Sequence, residues 1–152
     1  MDSGIKVLQK NKKAFFNYEI VESLECGVVL EGTEVKSIRN GKFSFTDAYV
    51  RIRDGELVLI GLHVSQYTFG NINNHEPLRD RILLANRQEI KKLQRKVDEK
   101  GYTIIPLKIY LKRNRIKVEI GLGRGKKLHD KRNAIRERDL KRDAQRDIKI
   151  RH

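Results

Sequence analysis

The stretch Gly121-Leu122-Gly123-Arg124-Gly125-Lys126-Lys127 has the glycines and lysines of a loop that cradles phosphates. Its spacing does not fit a nucleotide-binding loop. Lys127 stands where a magnesium-holding Ser or Thr is required, so nucleotide hydrolysis is not expected. His129-Asp130 is the one close histidine–carboxylate pair and has the residue types of a nuclease acid and base. Neighbours in sequence on a helix point in different directions, which argues against that role. His63, His75, His129 and His152 are scattered, with no nucleophile or metal cluster at a telling spacing. The lone Cys26 excludes an intramolecular disulfide and a cysteine-based zinc site, and it fits a reducing compartment as a strand thiol. The expectation is a protein without catalysis, cofactor or metal.

The chemistry left is electrostatic. A formal charge of +14 on 152 residues suits a polyanionic partner, because each phosphate neutralised releases condensed counterions. From Gly125 to His152, 11 Lys/Arg stand against 5 Asp/Glu, a net of +6, and no aromatic residue follows Tyr110. The other +8 lies on the preceding residues, so both parts are suited to touch one partner. The opening Met1-Asp2-Ser3-Gly4-Ile5-Lys6 has no signal-peptide core, and no run approaches the roughly 20 apolar residues of a membrane span. A cytoplasmic protein follows.

The elements that must position these charges are mostly strands. Lys10-Asn11-Lys12-Lys13 precedes Ala14-Phe15-Phe16-Asn17-Tyr18-Glu19-Ile20, where Phe16, Tyr18 and Ile20 share one side of a period-two strand running to Cys26. The lysine cluster is compatible with phosphate contact and with simple solvation. Gly32 to Gly41 predicts a short helix, with Thr33 at its cap, Val35 and Ile38 on its apolar side and Asn40-Gly41 as its stop. Tyr49–Arg53, Asp54-Gly55 and Glu56–Val64 predict a hairpin whose second strand, apolar on both faces, is central. Ser65–Asp80 is a long polar loop in which Tyr67 and Phe69 suit either stacking on bases or packing beneath the loop. Asn86 caps a helix carrying Ile90, Leu93 and Val97 on one stripe, with Lys91, Lys92, Arg95 and Lys96 elsewhere and Gly101 as its stop. Ile104–Leu111 and Ile116–Ile120 form a last hairpin, with Pro106 expected at a strand start or edge. The pattern predicts a mainly β fold, a small antiparallel β-barrel with two short helices and a basic C-terminal tail.

The division falls at 1–124 for the barrel and 125–152 for the tail, with the glycines between Gly121 and Gly125 as the joint. In the tail Ile135, Leu140, Ala144 and Ile148 give only a thin apolar stripe, too little to offset ordering so many side chains. Disorder in the free protein and helix on a binding surface are expected. About 24 residues of helix would reach roughly 36 Å.

Gly32-x-Glu34-Val35-Lys36-Ser37, the Asp54-Gly55 turn, Arg81-x-Leu83-Leu84, Gly101-Tyr102-Thr103 and Gly125-Lys126-Lys127-x-His129-Asp130-Lys131-Arg132, in this order over nearly the whole chain, resemble the bacterial SsrA-binding protein family, also called small protein B. The resemblance implies a small antiparallel OB-like β-barrel with two to three short helices, in a non-enzymatic adaptor of trans-translation, a monomer with no membrane partner. It would bind the transfer-RNA-like part of transfer-messenger RNA and accompany it to a stalled ribosome, where the tail enters the vacant messenger channel at the small-subunit decoding centre. It places RNA contacts at Asn11, Lys12, Lys13, Glu25, Leu84 and Lys117. Ribosome contacts fall on Gly125, Lys126, Lys127, His129, Asp130, Lys131 and Arg132, His129 stacking on ribosomal-RNA bases. Ile82 stands where the family often has Lys, Asn86 where His is common and Gly123 where Ala is usual, the last implying a more flexible joint. The competing classes are a basic ribosome-associated structural protein and a membrane-surface protein using the tail, against which the thin stripe argues.

Overall fold

The computed structural model describes residues 4–68 and 74–126. In chain order they form β1 (Ile5–Lys10), α1 (Lys12–Asn17), β2 (Tyr18–Val28), α2 (Gly32–Arg39), β3 (Phe43–Ser44), β4 (Tyr49–Arg53), β5 (Glu56–Ile60), β6 (His63–Val64), β7 (Arg81–Leu84), α3 (Arg87–Lys100), β8 (Thr103–Lys112) and β9 (Arg115–Gly125). Seven strands make one antiparallel sheet in the order β1-β8-β4-β5-β7-β2-β9, and a further β8–β9 pairing brings the last strand back to the second. Six strands therefore close into a ring, a small OB-like barrel with β1 laid against β8, and closure satisfies edges that would otherwise be open. β3 and β6 form a separate two-stranded ribbon. No helix among the described residues is long and apolar enough to cross a membrane.

Local chemistry explains the corners. Asp54 and Gly55 have φ of 52° and 80°, the left-handed pair of a two-residue hairpin turn, and Arg113 and Asn114 repeat it with 51° and 65°. The sheet interior is filled by alternate residues: Val118, Ile120 and Leu122 from β9, Leu57 and Leu59 from β5, Ile104 and Ile109 from β8. β5 lies between β4 and β7, the central place its two apolar faces predict. The side chains of Ile90 and Leu93 turn the buried stripe of α3 toward this core.

Several elements differ from expectation. Residues 12–17 are helical, and β2 begins only at Tyr18. Asn11 decides this, since its Oδ1 accepts from the Ala14 amide at 3.3 Å and starts a turn that buries Ala14 against Ile105 and Leu107. Helix α2 is capped from Glu31, whose amide donates to Glu34 Oε1 at 2.8 Å. Thr33 instead meets Nδ1 of buried His75 at 2.8 Å. Nε2 of that ring lies 2.9 Å from the Val64 carbonyl and must donate to it, so Nδ1 accepts from the Thr33 hydroxyl. The strand after Asp54-Gly55 stops at Ile60, because Gly61 turns with φ 80° and a Cβ there would lie 2.8 Å from the Asp47 carbonyl oxygen. Pro106 sits inside β8, at the register shift between Pro106 and Lys108 that excuses its missing donor.

The glycines of the last strand are not a joint. β9 runs on through Gly121 and Gly123 to Gly125, paired with β2. A Cβ on Gly121 would lie 2.7 Å from Leu107 Cδ1, and one on Gly123 would lie 3.0 Å from Tyr18 Cβ. Both glycines therefore exist for close approach, letting α1 and its small apolar cluster lie on the outside of β8 and β9.

One charged cluster is fully enclosed. The side chains of Glu34 and Arg81 are each 0% exposed. Arg81 Nε donates to Glu34 Oε2 at 2.5 Å, while Nη1 and Nη2 donate to the carbonyls of Leu62 at 2.8 Å and Pro77 at 3.2 Å. Arg79 Nη2 donates to Glu34 Oε1 at 2.5 Å. Burial pushes the Glu34 carboxyl up, but the Arg79 hydrogen bond, the Glu31 amide and Arg81 outweigh it and hold it below its ordinary value of 4.5. The stabilisation this depressed acid provides is present above that value and lost as pH falls through its folded pKa.

Replacing Glu34 by Gln strands Arg81, so urea unfolding at about pH 7 should show a loss of about 3–5 kcal/mol, and the gap from wild type should narrow toward about pH 3. Gly121→Ala should cost about 1–3 kcal/mol by the same measurement, whereas a flexible joint would accept alanine without loss.

Candidate nucleic-acid interface

Three strands build one outward face. With Val118 and Ile120 turned inward, Lys117 and Glu119 of β9 point out; beside them on β8 stand Lys108, Tyr110 and Lys112, and on β2 Glu25, between inward Leu24 and Cys26. Tyr110 is opposite Lys117, and Glu119 is opposite both Glu25 and Lys108. The Tyr110 ring, only 4% exposed, crosses β9 so that its hydroxyl donates to Glu25 Oε2 at 2.5 Å. Lys112 Nζ stands 3.4 Å from Glu25 Oε1. Lys108 Nζ lies 5.4 Å from the Tyr110 ring centre and 3.1 Å from Glu119 Oε2.

This network fixes charge states. The Tyr110 hydrogen bond, the largest influence, outweighs the upward push of burial and, with Lys112 and then Lys117, lowers the Glu25 carboxyl below its ordinary range. Burial, and then Glu25, push the Tyr110 hydroxyl up, so it is a fixed donor. Burial pushes the neighbouring Cys26 thiol up to about 12, which leaves it an inert thiol.

Leu84, 55% exposed, stands opposite Gly27 on β2. Leu84, Gly27 and Lys117 line one groove of ≈ 390 Å³, bounded by Val35 and Arg39 of α2 and by Ile116. Glu25, Leu84 and Lys117 are thus gathered on one side of the barrel: an acceptor, an apolar wall and a cation. Such a surface can hold phosphate, receive a base face and accept a hydrogen bond from a base or ribose.

Asn11 has a different task. Its amide donates to the Leu107 carbonyl at 2.7 Å and its Nδ2 to that of Pro106 at 2.8 Å, so the side chain fastens α1 to β8. Lys12 and Lys13 are exposed on the first turn that it caps. Leu107 and Tyr110 lie three positions apart on β8, about 10 Å, so the strand that anchors α1 also carries the Tyr110 network.

Of the expected tail contacts, Gly125 ends β9 opposite Tyr18, and the Lys126 amide donates to the Asn17 carbonyl at 3.0 Å. Lys127, His129, Asp130, Lys131 and Arg132 lie outside the described residues, as does Phe69. Tyr67 is half-buried, with Lys36 Nζ 5.2 Å from its ring centre. Asn86 accepts from the Gln88 amide at 3.0 Å, which explains an Asn at that departure by capping. Ile82 is 39% exposed on β7. Among the described residues no three His, Cys, Asp or Glu side chains gather as metal ligands. Sequence reasoning missed Lys108, Tyr110 and Lys112 as parts of this outward face; their alternation with Leu107, Ile109 and Leu111 was the available signal.

The family model described as SmpB protein matches residues 8–150. The SsrA-binding protein of Treponema denticola is 52% identical over 147 residues, covering 97% of this chain and 96% of its own. That of Thermosynechococcus vestitus is 54% identical over 152 residues, covering 99% and 100%. A solved chain described as "tmRNA-SmpB: a journey to the center of the bacterial ribosome" matches with a TM-score of 0.67 and 45% identity over 84% of this chain and 94% of its own.

Proposed function

The chain belongs to the SmpB protein family, and from that premise we propose how its surface performs the family's work. It is an RNA-binding adaptor of trans-translation, not an enzyme, that binds transfer-messenger RNA and acts with it on the ribosome, hence in the cytoplasm. The observation that carries the interface is the convergence of Glu25, Leu84 and Lys117 on one side of a closed barrel. Lys12, Lys13 and Lys117 supply the sequence-independent attraction to phosphate. Leu84 offers an apolar face to an unstacked base, and Glu25 accepts from a base amino group or ribose hydroxyl. Asn11 contributes by holding α1, and with it the two lysines, against β8. In this reading the barrel grips the transfer-RNA-like part of the RNA, while residues from Lys127 onward form the ribosome-contacting arm, with His129 and its basic neighbours against ribosomal RNA.

Binding of the isolated transfer-RNA-like domain, measured by fluorescence anisotropy at several salt concentrations, tests the interface. Lys117→Ala should weaken binding and reduce the log–log salt slope by about 1. Leu84→Ala should cost about 1–3 kcal/mol with the slope unchanged. Normal affinity in both variants would displace the interface from this side. Truncation after Lys126 should leave RNA affinity within about twofold of full length and abolish peptide tagging on stalled ribosomes; tight ribosome association without transfer-messenger RNA would instead favour a ribosome-associated structural protein.

A further inference from the structure

We infer that Tyr110 is a positioning residue of the RNA interface: its buried ring, laid across β9, fixes the Glu25 carboxylate as an acceptor for an N–H or O–H donor of the bound RNA. The inference rests on the reading of this face as the RNA-binding side. A glutamate on a strand surface ordinarily samples several rotamers and offers its oxygens in no fixed direction. Here Oε2 is held at 2.5 Å by the hydroxyl of a tyrosine only 4% exposed, and Lys112 Nζ stands 3.4 Å from Oε1 and 3.5 Å from Oε2. The side chain of Glu25 is 37% exposed, so a ligand reaches it.

The charged and titratable groups on this face come from β9 and, beyond it, β8: Lys117 and Glu119 on β9, and Tyr110, Lys108 and Lys112 on β8. Glu119 is engaged by Lys108, which leaves Tyr110, Lys112 and Lys117 to favour ionised Glu25. An ionised carboxylate only accepts. On a surface otherwise prepared for phosphate it repels a misplaced backbone and admits a donor, which discriminates between registers of the same polyanion. The preferred partners are an exposed amino or imino edge of an unpaired base, or a ribose hydroxyl.

The test is a double-mutant cycle on full-length protein with Tyr110→Phe, Glu25→Gln and both, reading affinity for the transfer-RNA-like domain. Wild type must bind that RNA; if it does not, the functional reading itself fails. Given binding, Glu25→Gln should weaken it about tenfold. Tyr110→Phe should weaken it several-fold, with the ratio to wild type widening from about pH 6 to about pH 4, as a freed carboxyl protonates ahead of the held one. In the Glu25→Gln background Tyr110→Phe should change nothing. An equal, pH-independent loss in both backgrounds would reduce Tyr110 to a packing residue and overturn the inference, as would an unaffected Glu25→Gln variant. Should Tyr110→Phe fold poorly, carbon-13 titration of Glu25 in wild type still decides: a midpoint at or above the ordinary 4.5 overturns it.

Discussion

A carboxylate and a guanidinium shut away from water must satisfy each other, and Glu34 and Arg81 do so in a way that fixes four parts of the chain at once. Glu34 belongs to α2 and Arg81 to β7, while the remaining Arg81 donors hold the carbonyls of Leu62 and Pro77 at either end of the long loop. Desolvating two charges is expensive, so such a pair contributes more to choosing one arrangement than to net stability. The arrangement chosen matters to function. Val35 and Arg39 of α2 form one bank of the Leu84 groove and β7 carries Leu84 itself, so the Glu34–Arg81 bond between these two elements sets the banks relative to each other.

The surface charge of this basic chain is organised rather than spread. Along β2, Glu19 meets Arg124, Glu22 meets Lys96 and Glu25 meets Lys112, each cation arriving from a different element. The strand therefore acts as a row of anchors that draws α3, β8 and β9 together at exposed sites, where a single ion pair is worth little. What these pairs add is selectivity. Cations bound to glutamates are less available to an anion, whereas Lys12 and Lys13 are exposed on the first turn of α1.

Much of this was legible in the amino-acid order where a local rule acts alone. The Asp54-Gly55 turn, the Asn86 cap, the Gly101 stop with φ 66° and the inward alternation of β9 all follow from backbone sterics or periodicity. The failures lie where a distant contact decides. Nothing near Ile5–Lys10 says that β8 will offer it a partner, and Ile5 and Val7 stay about half exposed even so. Residues 14–20 alternate like a strand, yet Asn11 and the outer faces of Ile105 and Leu107 make the first part helical. Glu34 reads as a first-turn acid favourable to the helix dipole; its burial depends on arginines 45 and 47 residues away. On the candidate face, the family pattern supplied Glu25, Leu84 and Lys117, while the contact of Tyr110 with Glu25 required the register of three strands.

The ring of strands is unequal around its circumference. β2 and β9 pair over most of their lengths and so do β8 and β9, but β4 meets β8 at a single register position, Val50 opposite Ile104. Along that line few main-chain bonds resist parting, and side chains from α3 and its exit, Val97 and Tyr102, bridge the gap from above. The helix is therefore a clasp over a short seam, on a line that involves none of Glu25, Leu84 and Lys117.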